Sequence, residues 1–516
     1  MKSLELWTFI LLFCSASCDL YSSVVGLEKL LQTENKIIQI YRSFVFKTEQ
    51  QISELKRQIE KLEKEHKNTT IYENDPFISF HLVKRILVEW AAVENVLSDR
   101  LLQETRDNIT ELQISNDFPT NEDLSGTADA INLISDIYNI EITSLADGVM
   151  NGIQYPSHLS AYDCYILGIQ SYLRNDFHHT YSWLDEALKR FRNDRNTADA
   201  DMIEKALDIK AYSAYKLGDL SIALNITTEL LNHYPNNSEA PGNIEYYKYM
   251  LNRKEVPKPK VIQHSMPDSD IAYRNICRKT ILSPVEITPQ LKCHYVHNDV
   301  PFLRLAPLKE EEAFLNPRIV LFKDALYDSE IKLLKEMVKS ELHSALVVNT
   351  EEDGDEIYSI NRVAQLNWIK RNDHPRMRTI LQRAEDMTKL DPYCTDCTED
   401  LQVVNYAVGG LYKPHFDSLE DYGLRYVEKG DRIATLLYYM NDVDQGGATV
   451  FTKLNMGVLP EKGTALLWYN QLPDGNKKDE RSMHGACPVV AGTKWICTLW
   501  FHAKGQELRR PCELKQ

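Results

Sequence analysis

The 516-residue chain lacks a long apolar run, an excess of positive charge and an endoplasmic-reticulum retrieval tetrapeptide. After the first twenty residues no segment approaches the roughly 20 apolar residues of a membrane span. With 59 Lys+Arg against 75 Asp+Glu, the net charge of -16 argues against sequence-independent binding of DNA, which needs a basic footprint. A local basic groove stays open. The ending ELKQ does not address the chain to the endoplasmic reticulum. What remains is ordinary for a globular protein, 43% hydrophobic and 26% charged, and too long for one core; about three domains are expected.

The opening MKSLELWTFILLFCSASCDL places Lys2 before an apolar run from Leu6 to Phe13, then small residues around Ala16 and Cys18. This pattern predicts a secretory signal peptide over 1–18, the alternative being a buried N-terminal helix. Its removal leaves eight cysteines in an oxidising compartment, where disulfides persist. Asn68, Asn108, Asn225 and Asn236 stand in sequons and are candidate glycan sites. The chain is then either secreted or held in the endoplasmic reticulum by something else.

Residues 24–66 carry apolar residues at alternating steps of three and four: Val24, Leu27, Leu31, Ile38, Tyr41, Val45, Ile52, Leu55, Ile59 and Leu62, broken at Glu34 and Thr48. One long helix is predicted, within a helical region over 19–150. Its seam serves either a dimeric coiled coil or packing on its own domain, and its length favours the dimer. Thr120, with Asp123 three residues on, marks a helix start.

Residues 151–252 are helical and rich in tyrosine. Ala211, Gly218, Ala223 and Pro235 follow the spacing of a 34-residue tetratricopeptide unit, and Leu167, Gly168, Leu184 and Ala187 follow it less closely. Such helix pairs stack into a concave surface that suits a peptide. Tyr212 and Tyr215 lie three apart on one helix face, as do Tyr246 and Tyr249, and an aromatic groove suits a proline-rich ligand. Each tyrosine alone is equally compatible with ordinary packing. The charged, proline-bearing NRKEVPKPKVIQH reads as a linker within 253–300.

From 301 to 516 the pattern turns to short strands such as LQVVNYAV, RIATLLYYMND, GTALLWYN and KWICTLWFH, which predict a barrel or jelly roll with flanking helices. Just after the first of these lies YKPHFDSLEDYG. On a strand, His415 and Asp417 share a face. A lone His-x-Asp pair is weak evidence, but His484 in RSMHGACP supplies a third ligand. Two imidazoles and one carboxylate form the facial triad of non-haem Fe(II) oxygenases, although zinc also accepts that set. Lys494 follows His484 by ten residues, across a glycine turn. A cation there can pair with the far carboxylate of 2-oxoglutarate. Alone it reads as a strand-end charge; with the triad and that spacing, the ligand reading prevails.

The runs NYAVGGLYKPHFD, RIATLLYYMNDVDQGGATVF, GTALLWYN, HGACPVVAGTKW and GQELRRPC resemble the catalytic domain of the collagen prolyl 4-hydroxylase α subunit, and the preceding regions match in order. The resemblance implies a double-stranded β-helix that holds Fe(II) on His415, Asp417 and His484, with Lys494 on 2-oxoglutarate. It adds Tyr406, Thr449 and His502 as co-substrate contacts and Tyr212, Tyr215 and Tyr246 as peptide contacts. It implies hydroxylation at C4 of proline in X-Pro-Gly repeats, using O2 and 2-oxoglutarate and releasing succinate and CO2. L-ascorbate would restore oxidised iron. A protein disulfide isomerase β subunit in an α2β2 tetramer would retain the chain in the endoplasmic reticulum lumen. It also implies two disulfides, Cys277 with Cys293 and Cys487 with Cys512.

Cys394 and Cys397 depart from the resemblance and are read as a local disulfide or free thiols, while Cys164 and Cys497 are read as free and buried. Met483 stands where the family commonly has a basic residue, and Ile209 where its peptide face often carries tyrosine. Two other functions remain open: hydroxylation of other secreted proline-containing proteins, and a non-catalytic procollagen-binding subunit.

Overall fold

The computed structural model of the chain describes residues 20–47, 53–67, 77–91, 100–114, 118–193, 200–252, 268–279, 286–348, 356–358, 361–419, 430–475 and 477–512. The signal peptide, Asn68 and most of the linker fall outside these residues.

The predicted long helix is instead two, Val24–Lys47 and Ser53–Lys67. They pack side by side, with Arg42 Nε 2.5 Å from Glu63 Oε1 and His66 Nδ1 2.6 Å from Glu34 Oε2. The seam residues Leu27, Ile38, Tyr41, Ile59 and Leu62 are buried inside the chain. These residues thus pack within the chain's own domain, one of the two uses that the spacing allows. Glu34, the break in the seam, is fully buried and accepts hydrogen bonds from the Arg85 guanidinium as well as facing His66. A buried carboxylate needs such partners, because its desolvation is otherwise uncompensated. The helix Asn121–Tyr138 begins where the sequence predicts: Thr120 Oγ1 accepts from the Asp123 amide, and Asp123 accepts in return from the Thr120 amide.

Five helices follow: Ala161–Leu173, Phe177–Asn193, Ala200–Lys216, Leu220–His233 and Ala240–Asn252. Consecutive helices pack as antiparallel pairs, with small residues at the closest approaches. A side chain at Gly168 would lie 2.6 Å from Leu184 Cδ2. Gly218, at φ +94°, makes the turn between the third and fourth helices. Buried Lys84 pairs with Asp163 and with Glu89, at 2.8 Å, tying the first repeat helix to the N-terminal region.

The C-terminal region is two facing antiparallel sheets. The nine-stranded sheet runs, in spatial order, Cys293–Val296, Leu308–Phe314, Ile319–Lys323, Ala465–Tyr469, Arg432–Tyr439, Lys494–His502, Leu401–Tyr406, Gln365–Ile369 and His343–Ser344. The five-stranded sheet runs Met456–Val458, Thr449–Phe451, His484–Ala486, Leu411–His415 and Arg362–Val363. Between them lies an apolar core of Val404, Leu437, Phe451, Leu466, Trp468 and Ile496. Helices Asp328–Val338 and Met377–Thr388 add their own apolar faces to the main core. The N-terminal helices dock against this domain: the Val24 amide donates to Asn405 Oδ1 (2.7 Å), the Ala407 amide to Ser22 O (3.2 Å), and the Tyr138 hydroxyl to Pro488 O (2.7 Å).

The disulfides differ from the implied pairing. Cys277 bonds to Cys487, and Cys293 and Cys512 are free and exposed. The helix Asp268–Cys277 packs against the five-stranded sheet, where the Tyr273 hydroxyl donates to Ala486 O at 2.7 Å. That contact brings Cys277 beside Cys487, while Cys293 opens the outermost strand of the other sheet, opposite Glu311. Cys394 and Cys397 form the local disulfide, and Cys164 and Cys497 are buried and free. Among the described residues, no helix is long and apolar enough to cross a membrane.

Candidate active site

The metal site is assembled by register. His415 ends one strand and pairs with His484, the first residue of its neighbour, and Phe451 pairs with His484 from the other side. Asp417 follows two residues after His415 and returns beneath the pair. His415 Nε2 lies 3.7 Å from Asp417 Oδ1, and His484 Nε2 lies 3.7 Å from Asp417 Oδ2. One potential ligand atom from each residue falls within 4.8 Å of the others.

The surroundings fix each group in its ligating state. His415 Nδ1 and His484 Nδ1 lie 2.8 and 2.9 Å from the carbonyls of Lys413 and Ser482. A carbonyl can only accept, so Nδ1 carries the proton and Nε2 keeps its lone pair for a metal. Burial, then the neighbouring His484, holds His415 below the usual imidazole range and keeps it neutral. Burial pushes the Asp417 carboxyl up, but His484, His415 and Arg432 outweigh it and hold the group ionised. Thr435 donates to Asp417 Oδ2 at 2.6 Å, and Asn470 donates to the Thr435 oxygen at 2.9 Å. Tyr412 stacks on His415, ring centroids 3.5 Å apart, and Trp468 meets His484 edge-on at 4.7 Å. Two imidazoles with their Nε2 atoms free and one carboxylate, oriented from outside and open to a cavity, fit a divalent iron.

The cavity that these groups line continues to Lys494. Thr449 pairs with Ala486 while Phe451 pairs with His484, so Thr449 stands two residues along from the metal ligands. At strand rise that is about 7 Å, close to the span of a five-carbon dicarboxylate. Lys494 Nζ meets Thr449 Oγ1 at 3.5 Å and lies over the rings of Tyr406 (5.6 Å) and Tyr439 (5.9 Å). The Tyr439 hydroxyl donates to Thr449 at 2.9 Å. Among the described residues Lys494 has no carboxylate partner, and burial pushes its ammonium down to about 7. Burial likewise pushes the Tyr406 phenol up to about 12. The floor of this cavity thus presents an amine that a carboxylate beside it would hold as the ammonium.

His502 is the exception among the site residues implied by the resemblance. It shares the alternation of Lys494, Ile496, Thr498 and Trp500, which all line the cavity, but it lies beyond the wall. Its Nδ1 is 2.7 Å from Gly430 O and its Nε2 is 2.9 Å from Glu399 Oε1. Glu399 also accepts from Arg432, whose guanidinium lies 4.1 Å from the Trp500 ring. His502 therefore reaches the cavity only through that network. Sequence reasoning also passed over Arg362, Tyr412, Thr435 and Trp500, all on the wall. Trp500 was findable, six residues after Lys494 on the same strand face; Arg362, from a two-residue strand, carries no such signal.

In the repeat region the structure brings Tyr212, Tyr215 and Tyr246 together. Their rings follow one another at 6.1 and 5.8 Å, and the hydroxyls of Tyr215 and Tyr246 are 3.1 Å apart. Tyr172 and Phe177, which the periodicity did not single out, extend the row beyond Tyr212 at 6.1 and 6.0 Å. Of the sequon asparagines, Asn108, Asn225 and Asn236 are exposed.

Comparison with known proteins matches three family signatures along the chain. They are the prolyl 4-hydroxylase alpha-subunit N-terminal region over residues 23–152, the prolyl 4-hydroxylase peptide-substrate-binding domain over 161–253, and the 2OG-Fe(II) oxygenase superfamily over 401–502. Prolyl 4-hydroxylase subunit alpha-2 of Caenorhabditis elegans is 34% identical over 520 residues, covering 97% of this chain and 94% of its own. Subunit alpha-1 of Homo sapiens is 33% identical over 527 residues, covering 96% of each. The chain belongs to the prolyl 4-hydroxylase α subunit family. Among solved structures, a viral collagen prolyl hydroxylase from Paramecium bursaria Chlorella virus-1, in complex with 2OG, aligns at 24% identity over 35% of this chain and 94% of its own, with a TM-score of 0.29. The oxygenase match spans His415, Asp417, His484 and Lys494, and it makes this family member an Fe(II)- and 2-oxoglutarate-dependent dioxygenase.

Proposed function

We propose that the chain hydroxylates C4 of peptidyl proline in X-Pro-Gly repeats of collagen-like chains, with His415, Asp417 and His484 as iron ligands. The observation that carries this reading is a buried Lys494, with no carboxylate partner among the described residues, set against Thr449, which stands two residues along its sheet from the preorganised triad. The relatives' names, prolyl 4-hydroxylase subunits, support the substrate.

The bound iron supplies the activation of O2 that oxidises 2-oxoglutarate to succinate and CO2 and delivers one oxygen atom to proline. The chain's residues bind and orient. Lys413 and Ser482 carbonyls hold the imidazoles, and Thr435 holds the Asp417 carboxylate. Lys494, with Thr449 and the Tyr406 ring beside it, takes the far carboxylate of 2-oxoglutarate. Phe451 and Trp468 keep water from the His484 side. The Tyr212–Tyr215–Tyr246 row holds the peptide at a distance from the chemistry, so that long repeats bind better than short ones. The Glu399 network positions Trp500 at the cavity wall, and His502 acts through it.

The same reading includes L-ascorbate as reductant of oxidised iron and a protein disulfide isomerase β subunit in an α2β2 tetramer that keeps the chain in the endoplasmic reticulum lumen. The intact triad and Lys494 weigh against a non-catalytic procollagen-binding role.

The test is turnover of a synthetic (Pro-Pro-Gly) repeat by the chain co-expressed with protein disulfide isomerase, scoring succinate and 4-hydroxyproline together. Coupled production of both is expected. Succinate without hydroxyproline would redirect the substrate to other secreted proteins. Absence of both from folded, iron-loaded protein would support the binding-subunit reading.

A further inference from the structure

The helix Ala200–Lys216 carries charge at both ends of its aromatic face. Asp208, Tyr212 and Lys216 are spaced by four and so share that face. At one end Lys216 is exposed, with Nζ 5.3 Å from the Tyr212 ring and 5.7 Å from the Phe177 ring. No carboxylate pairs with it among the described residues. At the other end Asp208 is half-buried near Tyr247, Glu204 and Glu239. Glu204 accepts a hydrogen bond from Asn237, and Glu239 is exposed. No cation pairs with Asp208 or Glu239 among the described residues, and burial, then Glu239 and Glu204, pushes the Asp208 carboxyl up. The opposite charges are thus left uncompensated at the two ends of one row of tyrosines.

We propose that this groove reads charge as well as proline, taking an extended peptide whose basic side chain pairs with Asp208 and Glu239 and whose acidic side chain pairs with Lys216. The proposal rests on the reading of the repeat region as the peptide site. Eight helical residues separate the two ends by about 12 Å. A polyproline II peptide rises about 3.1 Å per residue, so the span is three to four residues, roughly one X-Pro-Gly triplet. The selected substrates carry opposite charges at the X positions of successive triplets, and they bind in one chain direction because the groove has an acidic and a basic end. Ile209, on the same helix, contributes no ring that would blur this polarity.

The experiment is fluorescence anisotropy on the full chain with three labelled peptides at low salt. One is a neutral (Pro-Pro-Gly) repeat, one carries Glu then Lys at successive X positions, and one carries Lys then Glu. One charged order is expected to bind about threefold to tenfold tighter than the neutral peptide and than the reverse order, with the gap closing at high salt. Lys216→Gln shrinks the gap between the two charged orders. The double exchange Asp208→Lys with Lys216→Glu inverts the preferred order, an effect that mere loss of structure would not produce. Equal binding of all three peptides, or an unchanged preference in the exchanged variant, overturns the proposal and leaves the peptide site standing. Failure of every peptide to bind overturns both.

Discussion

The iron cavity and the tyrosine groove are both built from neighbouring elements, and they are held in opposite ways. In the cavity, Asp417, His484 and Lys494 are each 5% exposed or less, and the two iron-facing imidazoles and the carboxylate are fixed by outside hydrogen bonds. In the groove, Tyr212 and Tyr246 are 36% and 43% exposed and are held by ring edges and one hydroxyl pair. Buried charge leaves little freedom, because an unpaired ion in low dielectric is costly. Exposed rings tolerate exchange, because each contact is worth only about 0.5–1.5 kcal/mol. On the proposed reading, chemistry sits where substitution is least tolerated, and selection of the peptide sits where it is most tolerated.

The sharpest way to break this contrast is His484→Ala. Turnover should fall by at least about 10³-fold, with the melting temperature little changed. A variant that keeps a tenth of wild-type activity in the coupled succinate and hydroxyproline assay would mean that the triad is not the centre. Next in size, Lys494→Met should raise the KM for 2-oxoglutarate by about 10²-fold, the loss of a buried charge-assisted hydrogen bond. The same lysine makes a pH prediction. With its folded value at about 7 against 10.5 for an ordinary lysine, the empty pocket holds mostly neutral amine above pH 7. A carboxylate beside Nζ favours the ammonium, so 2-oxoglutarate binding at pH about 8.5 should take up close to one proton, and none at pH about 6. Calorimetry in buffers of different ionisation enthalpy reads this directly; equal enthalpies at both pH values would refute it. The sign for stability is fixed too. Between about pH 7 and 10.5 the unfolded chain holds a proton that the folded chain has released, so this group adds stability as pH rises through that window.

Buried charge outside the active site gives the third test. Glu34→Gln removes the buried carboxylate that Arg85 and His66 face and should cost about 3 kcal/mol in denaturant unfolding, with the kcat of the remaining folded enzyme unchanged. The smallest effect is expected in the groove. Tyr215→Phe keeps the ring and removes the bond to the Tyr246 hydroxyl, so KM for a long peptide should rise only about twofold to fivefold while kcat holds. A large fall in kcat instead would show that the groove and the cavity are coupled.

The same contrast explains what was legible in the sequence. His415, Asp417, His484 and Lys494 stood out because metal and anion ligation restrict both residue type and position along paired strands. The capping box at Thr120 was legible because it is local. The division of the long helix into two is not legible, because heptad spacing says that a face is buried, not against what; Glu34, the break in the seam, marks a buried partner within the chain. The disulfide pairing was illegible for a related reason. The separation of 210 residues between Cys277 and Cys487 closes only when a helix lies across the small sheet, which no spacing encodes. Arg362 and Thr435 join the cavity from strands distant in sequence and were invisible for the same cause.

The docking of Val24 on Asn405 has a consequence for biosynthesis. The two residues are 381 positions apart, so the amide waits for its acceptor to be made. At ribosomal speeds of about 5–20 residues per second, the delay is roughly 20–80 s. Through that interval the first helix has only the helices of its own region to pack on. The amino-terminal region can therefore fold first as a unit, while its seat on the catalytic domain is completed last.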